Sequence, residues 1–292
     1  MLLKNLIKNS PKNIKELKIK GLALNSKDVK KGFIFFAIKG TKFNGENYID
    51  KAIKNGAIII ICSKSCKFKS TQVIVIKKKK VREYLSEICS KFYKLKPKNI
   101  IAVTGTNGKT SVADFFYQIL NANNIPVASI GTLGIRYREK FIKTNLTSPD
   151  VITLHKNLHK LKKNKIDNVI LEASSHGLKQ HRLDGLQFNL GIFTNLSRDH
   201  LDYHKTYKDY FESKLILFRK LMKENSNIIF DEDLIIAKKI KKIIKKNNFK
   251  PLSIGYTNSN LKIIDHKFIG SDQYVKFLYK SNIYKFSTNL IG

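Results

Sequence analysis

The chain has no tryptophan, three cysteines and only six arginines among its 56 basic residues. Three cysteines cannot all pair, and Cys62-x-x-x-Cys66 has no second ligand pair near it. A disulfide framework is excluded and a zinc site is disfavoured, which leaves free thiols in a reducing compartment. No apolar run approaches the ~20 residues of a membrane-spanning helix. The N-terminus MLLKNLIKNSPKN has neither a long apolar stretch nor a small-residue cleavage site, so no signal peptide is read. A cytoplasmic protein with no membrane partner is the expectation. Acids are also scarce, 22 against 56 bases, for a formal charge of +34. Such a charge raises the question of nucleic acid. Here lysine, isoleucine and asparagine are abundant along the whole chain, as in a genome-wide compositional bias. No nucleic-acid partner is expected. The charge would still favour anionic ligands such as phosphates, in a salt-sensitive way.

What is present is enough for about two domains, given 292 residues. The patterning predicts an α/β chain: a small N-terminal α/β domain over 1–97, then a phosphate-loop-type central domain over 98–292 with a mostly parallel sheet flanked by helices. In the first, Leu17–Leu24, Phe33–Ile38, Ala57–Cys62 and Gln72–Ile76 read as strands, and Tyr48–Lys54 and Val81–Tyr93 as helices. Lys94–Lys98, with Pro97, reads as a linker. Beyond it strands and helices alternate. Helices are expected over 109–122, 151–161, 207–222 and 234–245, with a hairpin around Arg138–Glu139. The Lys-rich run Lys238–Lys246 reads as a solvated helix face. Alternation of this kind implies a parallel sheet with functional loops at its strand C-termini.

One such loop is Ile100–Ser111, IIAVTGTNGKTS. A buried strand runs into a Gly-containing turn, and Lys109, Thr110 and Ser111 open a helix spaced by Val112, Phe115, Phe116, Ile119 and Leu120. Strand, glycine loop, Lys-Thr and helix form a recipe for holding a nucleoside triphosphate. Loop N–H groups face the phosphates, Lys109 supplies charge, and the Thr110 hydroxyl can ligate Mg²⁺. The usual G-x-x-x-x-G-K-[ST] pattern is incomplete, because its first glycine falls at Val103. A Gly-rich turn before an ordinary helix is the plainer alternative.

Two further polar stretches follow strands. LEASSHGLKQHRLDG, Leu171–Gly185, places Glu172 at a strand end and bunches Ser174, Ser175, His176, Gln180, His181 and Arg182 behind it. Such bunching is costly unless something polar binds there, although a capped turn would also account for it. FTNLSRDHLDYH, Phe193–His204, supplies Asn195, Arg198, Asp199, His200, Asp202 and His204. His200 could ligate a cation and Asp199 could orient an imidazole. Parallel strands put three such loops on one edge.

GTNGKTS, LEASSHGLKQHRLDG and FTNLSRDHLDYH, in this order and spacing, resemble the Mur ligases of bacterial cell-wall synthesis. SSHGL-x-QHR resembles the MurE branch, which joins a diamino acid to UDP-MurNAc-L-Ala-D-Glu; MurD, MurF and folylpolyglutamate synthase share the phosphate loop but not that string. Asn25-Ser26-Lys27, Gly32–Ile38 and Gly40–Tyr48 are similar to that family's uridine-nucleotide-binding domain. The resemblance implies an ATP-dependent ligase that uses Mg²⁺ and takes meso-diaminopimelate or L-lysine as the amine. ATP would phosphorylate a substrate carboxylate, and the amine would attack the acyl phosphate, leaving amide, ADP and phosphate. Gly105, Thr106, Asn107, Gly108, Lys109, Thr110 and Ser111 would hold ATP. Thr110, Glu172, His200 and Lys214, the last as a carbamate, would serve the metals, with Lys109, His200 and Lys214 catalytic. Leu24, Ser26, Asn145, Thr147, Ser148, Ser174, Gln180 and Arg182 would bind the UDP-linked dipeptide. Arg182 also makes sense alone, as a fork for carboxylate or phosphate. Nothing but the resemblance singles out Lys214 among the lysines.

Departures from the family are small except at the end. Asn25-Ser26-Lys27 stands where Asp-Ser-Arg is common, and Thr147-Ser148 where paired threonines are usual. Phe230-Asp231-Glu232-Asp233 only loosely matches the family's acidic turn. The chain ends at Asn289-Leu290-Ile291-Gly292, where family members continue into a third domain that selects the amino acid and closes over ATP. The resemblance therefore implies the first two domains of three; a monomer is the default expectation, since the sequence carries no sign of oligomeric state. Another ligase of the superfamily, or a non-catalytic nucleotide- and UDP-sugar-binding protein, are the alternatives.

Overall fold

The computed structural model describes residues 1–8, 11–40, 43–144 and 146–290. They divide into two compact units. The first holds Met1–Pro97, Pro149–Lys165 and Gln180–Leu186; the second holds Lys98–Ser148, Ile166–Lys179 and Gln187–Gly292.

The first unit is built on four parallel strands in the order β1 (Gly21–Ala23), β2 (Phe33–Phe36), β3 (Ala57–Ser63), β4 (Ile74–Lys78). Their sequences FIFF and AIIII are continuously apolar because both faces are covered. Side chains alternate between the faces. Ile34, Phe36, Ile59 and Ile61 join one core with Leu85 and Ile88 of helix α2 (Val81–Phe92). Phe35 and Ile60 join the other with Ile49 and Ala52 of helix α1 (Ile49–Lys54). Cys62, Cys66 and Cys89 are buried free thiols within these cores. Ile61 is fully buried. Ile61→Ala is expected to destabilise the protein by about 2–5 kcal/mol. Urea unfolding would report this as a lower midpoint at unchanged slope; an unchanged midpoint would refute burial of this strand.

The second unit begins with β5 (Asn99–Thr104) and α3 (Lys109–Ala122), followed by β6 (Val127–Gly131) and the hairpin β7 (Gly134–Tyr137) and β8 (Lys140–Ile142). The next helix, α4 (Val151–Lys163), belongs to the first unit although it lies well past the expected 97/98 boundary. Val151, Leu154, Leu158 and Leu161 make one buried stripe, and Val151 enters the core that includes Leu85 and Ile88 of α2. Asp150 caps it, accepting from the Ile152 and Thr153 amides. The chain then supplies β9 (Asn168–Glu172), α5 (Ser175–Lys179), β10 (Phe188–Phe193), α6 (Leu201–His204) and α7 (Tyr207–Ile216). β11 (Met222–Asp231), α8 (Ala237–Lys246), β12 (Lys250–Gly255) and a meander of β13 (Leu261–Ile269), β14 (Asp272–Tyr279) and β15 (Asn282–Thr288) complete it.

The sheet order is β15-β14-β13-β12-β11-β10-β5-β9-β6-β7-β8, parallel from β13 to β6 and antiparallel at both margins. The strand β5 is central. The chain leaves it toward β6, returns to β9 on one side, and then places β10 on the other. A crevice at the C-terminal end of such a strand is the usual ligand position. Helix α3 covers one face through Val112, Ala113 and Phe116 against Ile101, Val103 and Ile170. On β10, Gly191 leaves room for Phe218, whose Cε1 would lie 2.8 Å from an added Cβ. Phe193 packs there against Phe211 and Phe218. In α8, Ile240, Ile243 and Ile244 are buried while Lys238, Lys241, Lys242, Lys245 and Lys246 face solvent, as the lysine spacing predicts. One expectation changes: the helix expected over 207–222 ends in a π turn, Leu217–Leu221, that feeds directly into β11.

Candidate active site

Four strand ends of the second unit, those of β5, β9, β10 and β6, surround one cavity of about 260 Å³. At the first of them the chain turns without a side chain at Gly105, where a Cβ would lie 1.9 Å from Thr194 Oγ1. Gly108 takes φ +80° immediately before α3, a conformation that suits glycine. The residues after β10 brace this loop. Thr194 Oγ1 donates to the Asn107 carbonyl (2.6 Å), the Asn107 amide donates to Asn195 Oδ1 (2.9 Å), and the Thr106 amide donates to the Asn195 carbonyl (3.0 Å). Tyr210 Oη donates to Thr106 Oγ1 (3.1 Å). Thus the Phe193–His204 motif holds the glycine loop in shape.

Glu172, at the end of β9, is only 3% exposed. A buried carboxylate needs donors. Thr110 Oγ1 donates to its Oε2 (2.8 Å) and the Thr132 amide to its Oε1 (2.8 Å). Thr132 Oγ1 stands 3.1 Å from both Glu172 Oε2 and Thr147 Oγ1. A Cβ on Gly131 would come within 2.0 Å of Glu172 Oε1, so β6 must end in glycine for the carboxylate to sit here. Ser148 Oγ donates to the Glu172 carbonyl (2.8 Å) and accepts from the Ser174 amide (3.0 Å); Ser174 Oγ in turn accepts from the Gly177 amide (3.0 Å). Hydroxyl and carboxylate oxygens of this kind suit a hard divalent cation that keeps waters and phosphate oxygens as its other ligands. Among the described residues no group of three or more His, Cys, Asp and Glu is arranged to hold a metal by itself.

Two lysines converge on the Gly105 carbonyl. Lys109 Nζ donates to the carbonyls of Gly105 (3.0 Å) and Thr106 (2.7 Å), and Lys214 Nζ donates to the same Gly105 carbonyl (2.6 Å). Lys214 is 1% exposed, with its ammonium 4.2 Å from the Tyr210 ring centroid, one turn earlier on α7. Burial, and then the charge of Lys109, pull Lys214 down to about 7, against the opposing pull of Asp199. Burial also lowers Lys109, with Glu172 and Asp199 opposing. A half-buried Lys109 and a buried Lys214 that share one neutral acceptor make a place that favours an anion.

His200 is half exposed, at φ +51°, with Nε2 3.4 Å from Asp199 Oδ2. His176 lies between it and His204, at 4.9 and 5.4 Å between ring centroids. His204 is fully buried, its Nε2 3.0 Å from Ser175 Oγ, and burial followed by His176 and Lys179 brings it down to about 4. It is neutral at physiological pH.

The structure thus gathers Thr106, Asn107, Gly108, Lys109, Thr110, Ser111, Thr147, Glu172, Ser174, His200 and Lys214 around one cavity, with Gly105 in its loop and Ser148 behind Glu172. Leu24, Ser26, Gln180 and Arg182 belong to the first unit. There Leu24 packs partly buried on the core, Ser26 is buried, and Arg182 Nη2 donates to Gln180 Oε1 (2.7 Å). Asn145 lies outside the described residues. The sequence reading passed over Thr132 and Tyr210, and gave Ser175 no role; all three line the cavity. Thr132 could be found as the polar residue just after a parallel strand, and Tyr210 by its four-residue spacing from Lys214.

A central parallel strand, a glycine loop braced from the next strand and a Lys-Thr helix start define a nucleotide-binding α/β domain of the phosphate-loop class. Residues 103–292 match the Mur ligase middle domain, and residues 18–93 the family model described as Mur ligase family, catalytic domain. The chain belongs to the Mur ligase family. It is 39% identical over 278 residues to the UDP-N-acetylmuramoyl-L-alanyl-D-glutamate–2,6-diaminopimelate ligase of Rickettsia bellii, covering 94% of this chain and 57% of that protein. The ligase of the same name from Aquifex aeolicus is 38% identical over 278 residues, with 94% and 56% covered. A solved structure of a ligase so named superposes with a TM-score of 0.85 at 26% identity, covering all of this chain and 60% of the other. The chain therefore spans less than three fifths of the length of these two curated relatives. Among the described residues no helix is long and apolar enough to cross a membrane.

Proposed function

We propose that the protein is a cytoplasmic ATP-dependent amide ligase of peptidoglycan precursor synthesis, acting on UDP-MurNAc-L-Ala-D-Glu and a diamino acid of the 2,6-diaminopimelate class. The observation that carries this reading is the convergence of Lys109 and Lys214 on the Gly105 carbonyl, in the cavity that the Thr110–Glu172 pair also lines. Phosphorylating a carboxylate brings two anions together, and this cavity offers the Lys109 charge together with Thr110 and Glu172 oxygens suited to a divalent cation. The names of the relatives support the substrates.

In this reading Lys109 leaves the loop carbonyls to pair with the terminal phosphates, and the amides from Gly108 to Thr110 at the start of α3 cradle them. Thr110, Glu172 and His200 would hold Mg²⁺. Bound Mg²⁺ would neutralise the phosphate oxygens as charge shifts during transfer. Lys214 is suited to carbamate formation, since its lowered pKa leaves a neutral amine whose lone pair can add to CO₂ with loss of one proton. The resulting anion would turn this wall from cationic to metal-supporting. Thr147, Ser148 and Ser174 in the second unit, and Leu24, Ser26, Gln180 and Arg182 in the first, would bind the UDP-linked dipeptide, with Arg182 as the carboxylate or phosphate fork.

Isothermal titration tests this directly. The chain is expected to bind Mg·AMP-PCP and, separately, UDP-MurNAc-L-Ala-D-Glu. Arg182→Ala should weaken the second by about tenfold or more, and Lys242→Ala, on the solvated face of α8, should change neither. Absence of uridine-nucleotide binding by the unaltered chain would sink the proposal.

A further inference from the structure

The Gln180–Leu186 segment has an uncommon backbone for its residues. His181, between Gln180 and Arg182, takes φ +59°, in the left-handed region that non-glycine residues seldom occupy. Gly185 is also left-handed at φ +78°, and a Cβ there would lie 2.8 Å from the Ser86 carbonyl and 3.3 Å from His155 Cε1. A conformation of this sort costs on the order of 1 kcal/mol and persists only where its surroundings hold it.

Three groups of the first unit hold it. Ser86, on α2 and 2% exposed, shares its one hydroxyl hydrogen between the Arg82 carbonyl of its own helix (3.1 Å) and the His181 carbonyl (3.3 Å). His181 Nδ1 lies 2.8 Å from Asp184 Oδ2. His155, on α4 and fully buried, places Nε2 3.0 Å from the Asp184 carbonyl. A carbonyl only accepts, so His155 Nε2 carries the hydrogen and Nδ1 is bare. Burial first, and then Lys96, bring His155 down to about 4, which keeps it in this neutral form. The left-handed residue turns the chain so that the side chains on either side of it meet, Arg182 Nη2 donating to Gln180 Oε1 at 2.7 Å. Residues two apart share a face in an extended run as well; here the turn fixes the pair as one amide–guanidinium clamp.

We propose that Ser86 and His155 are positioning residues that lock the left-handed turn at His181 and thereby present Gln180 and Arg182 together to an anionic group, carboxylate or diphosphate, of the uridine-nucleotide substrate. This rests on the substrate reading given above. Neither residue touches the ligand. Each acts through the backbone of the segment that does.

Two pairs of variants test it by titration with UDP-MurNAc-L-Ala-D-Glu, with UDP, and with Mg·AMP-PCP. His181→Asn and His181→Val both lose the imidazole, but only asparagine tolerates the left-handed conformation. The valine variant is expected to bind the UDP-linked dipeptide about tenfold more weakly than the asparagine variant. His155→Leu should lose a similar factor and His155→Gln, whose amide can reach the Asp184 carbonyl, should recover most of it. Mg·AMP-PCP affinity should be the same in all four. A loss shared by UDP assigns the clamp to the diphosphate; a loss confined to the dipeptide ligand assigns it to the carboxylate. Equal affinities within each pair would overturn the inference, as would a parallel fall in Mg·AMP-PCP binding. Failure of the unaltered chain to bind any uridine nucleotide would instead overturn the substrate reading, and this inference with it.

Discussion

Lys109→Ala is expected to reduce affinity for Mg·AMP-PCP by at least about thirtyfold, because a charge-assisted contact in a buried site contributes about 2–3 kcal/mol. The ammonium is already desolvated, held by the Gly105 and Thr106 carbonyls, so moving it onto a phosphate requires little new desolvation. Arginine should not restore binding. The planar fork does not match two loop carbonyls that accept a single ammonium, and it is too bulky to fold back one turn along α3. A second effect follows from the shared acceptor. Lys109 is the largest electrostatic cause after burial of the lowered Lys214 pKa, so removing it should raise that of Lys214. Titration calorimetry and the pH dependence of Lys214 reactivity toward an acylating reagent would read the two effects independently. Unchanged nucleotide affinity in Lys109→Ala would show that the phosphates lie elsewhere.

Much of this was legible in the residues. The expected helix over 109–122 is α3 to the residue, because a glycine turn starts it and its apolar spacing continues until Asn123. The apolar runs FIFF and AIIII read as strands, and they are. The return of α4 and of Gln180–Leu186 to the first unit was not legible, since periodicity gives a helix its apolar face but not the partner of that face. The polar look of Lys223-Glu224-Asn225 concealed the start of β11 at Met222; these residues sit at the end of the sheet where side chains reach water. At the site, motifs on β5, β9 and β10 stood out because each packs several polar residues into a few positions. Thr132 did not, since one threonine after one strand carries no signal until the neighbouring strand order puts it against Glu172. Lys214 is one of 50 lysines in the sequence. Its burial is what distinguishes it, and burial of one lysine on a short helix is a tertiary fact.

That burial has a thermodynamic signature. Lys214 titrates near 7 in the folded chain against 10.5 as a free side chain. Below about pH 7 both folded and unfolded states carry the proton. Between about 7 and 10.5 the unfolded state binds more protons than the folded state, so unfolding free energy rises with pH across that window. Relative to Lys214→Met, which keeps the apolar stem without the charge, the wild-type chain should gain about 4–5 kcal/mol from pH 7 to above 10.5. The comparison with methionine cancels the many exposed lysines that titrate at the top of the range. Urea unfolding of both proteins in bicarbonate-free buffer at stepped pH would measure it, and parallel profiles would show that Lys214 is solvated in the folded state. Adding bicarbonate then separates the amine from its carbamate. Carbamate formation takes the proton off the folded chain while the unfolded chain keeps its ammonium, so bicarbonate should stabilise the wild type, extend the rise to below pH 7 and leave the variant unchanged, whereas a wild-type profile insensitive to bicarbonate would leave Lys214 as a free amine and count against the metal-supporting role proposed for it.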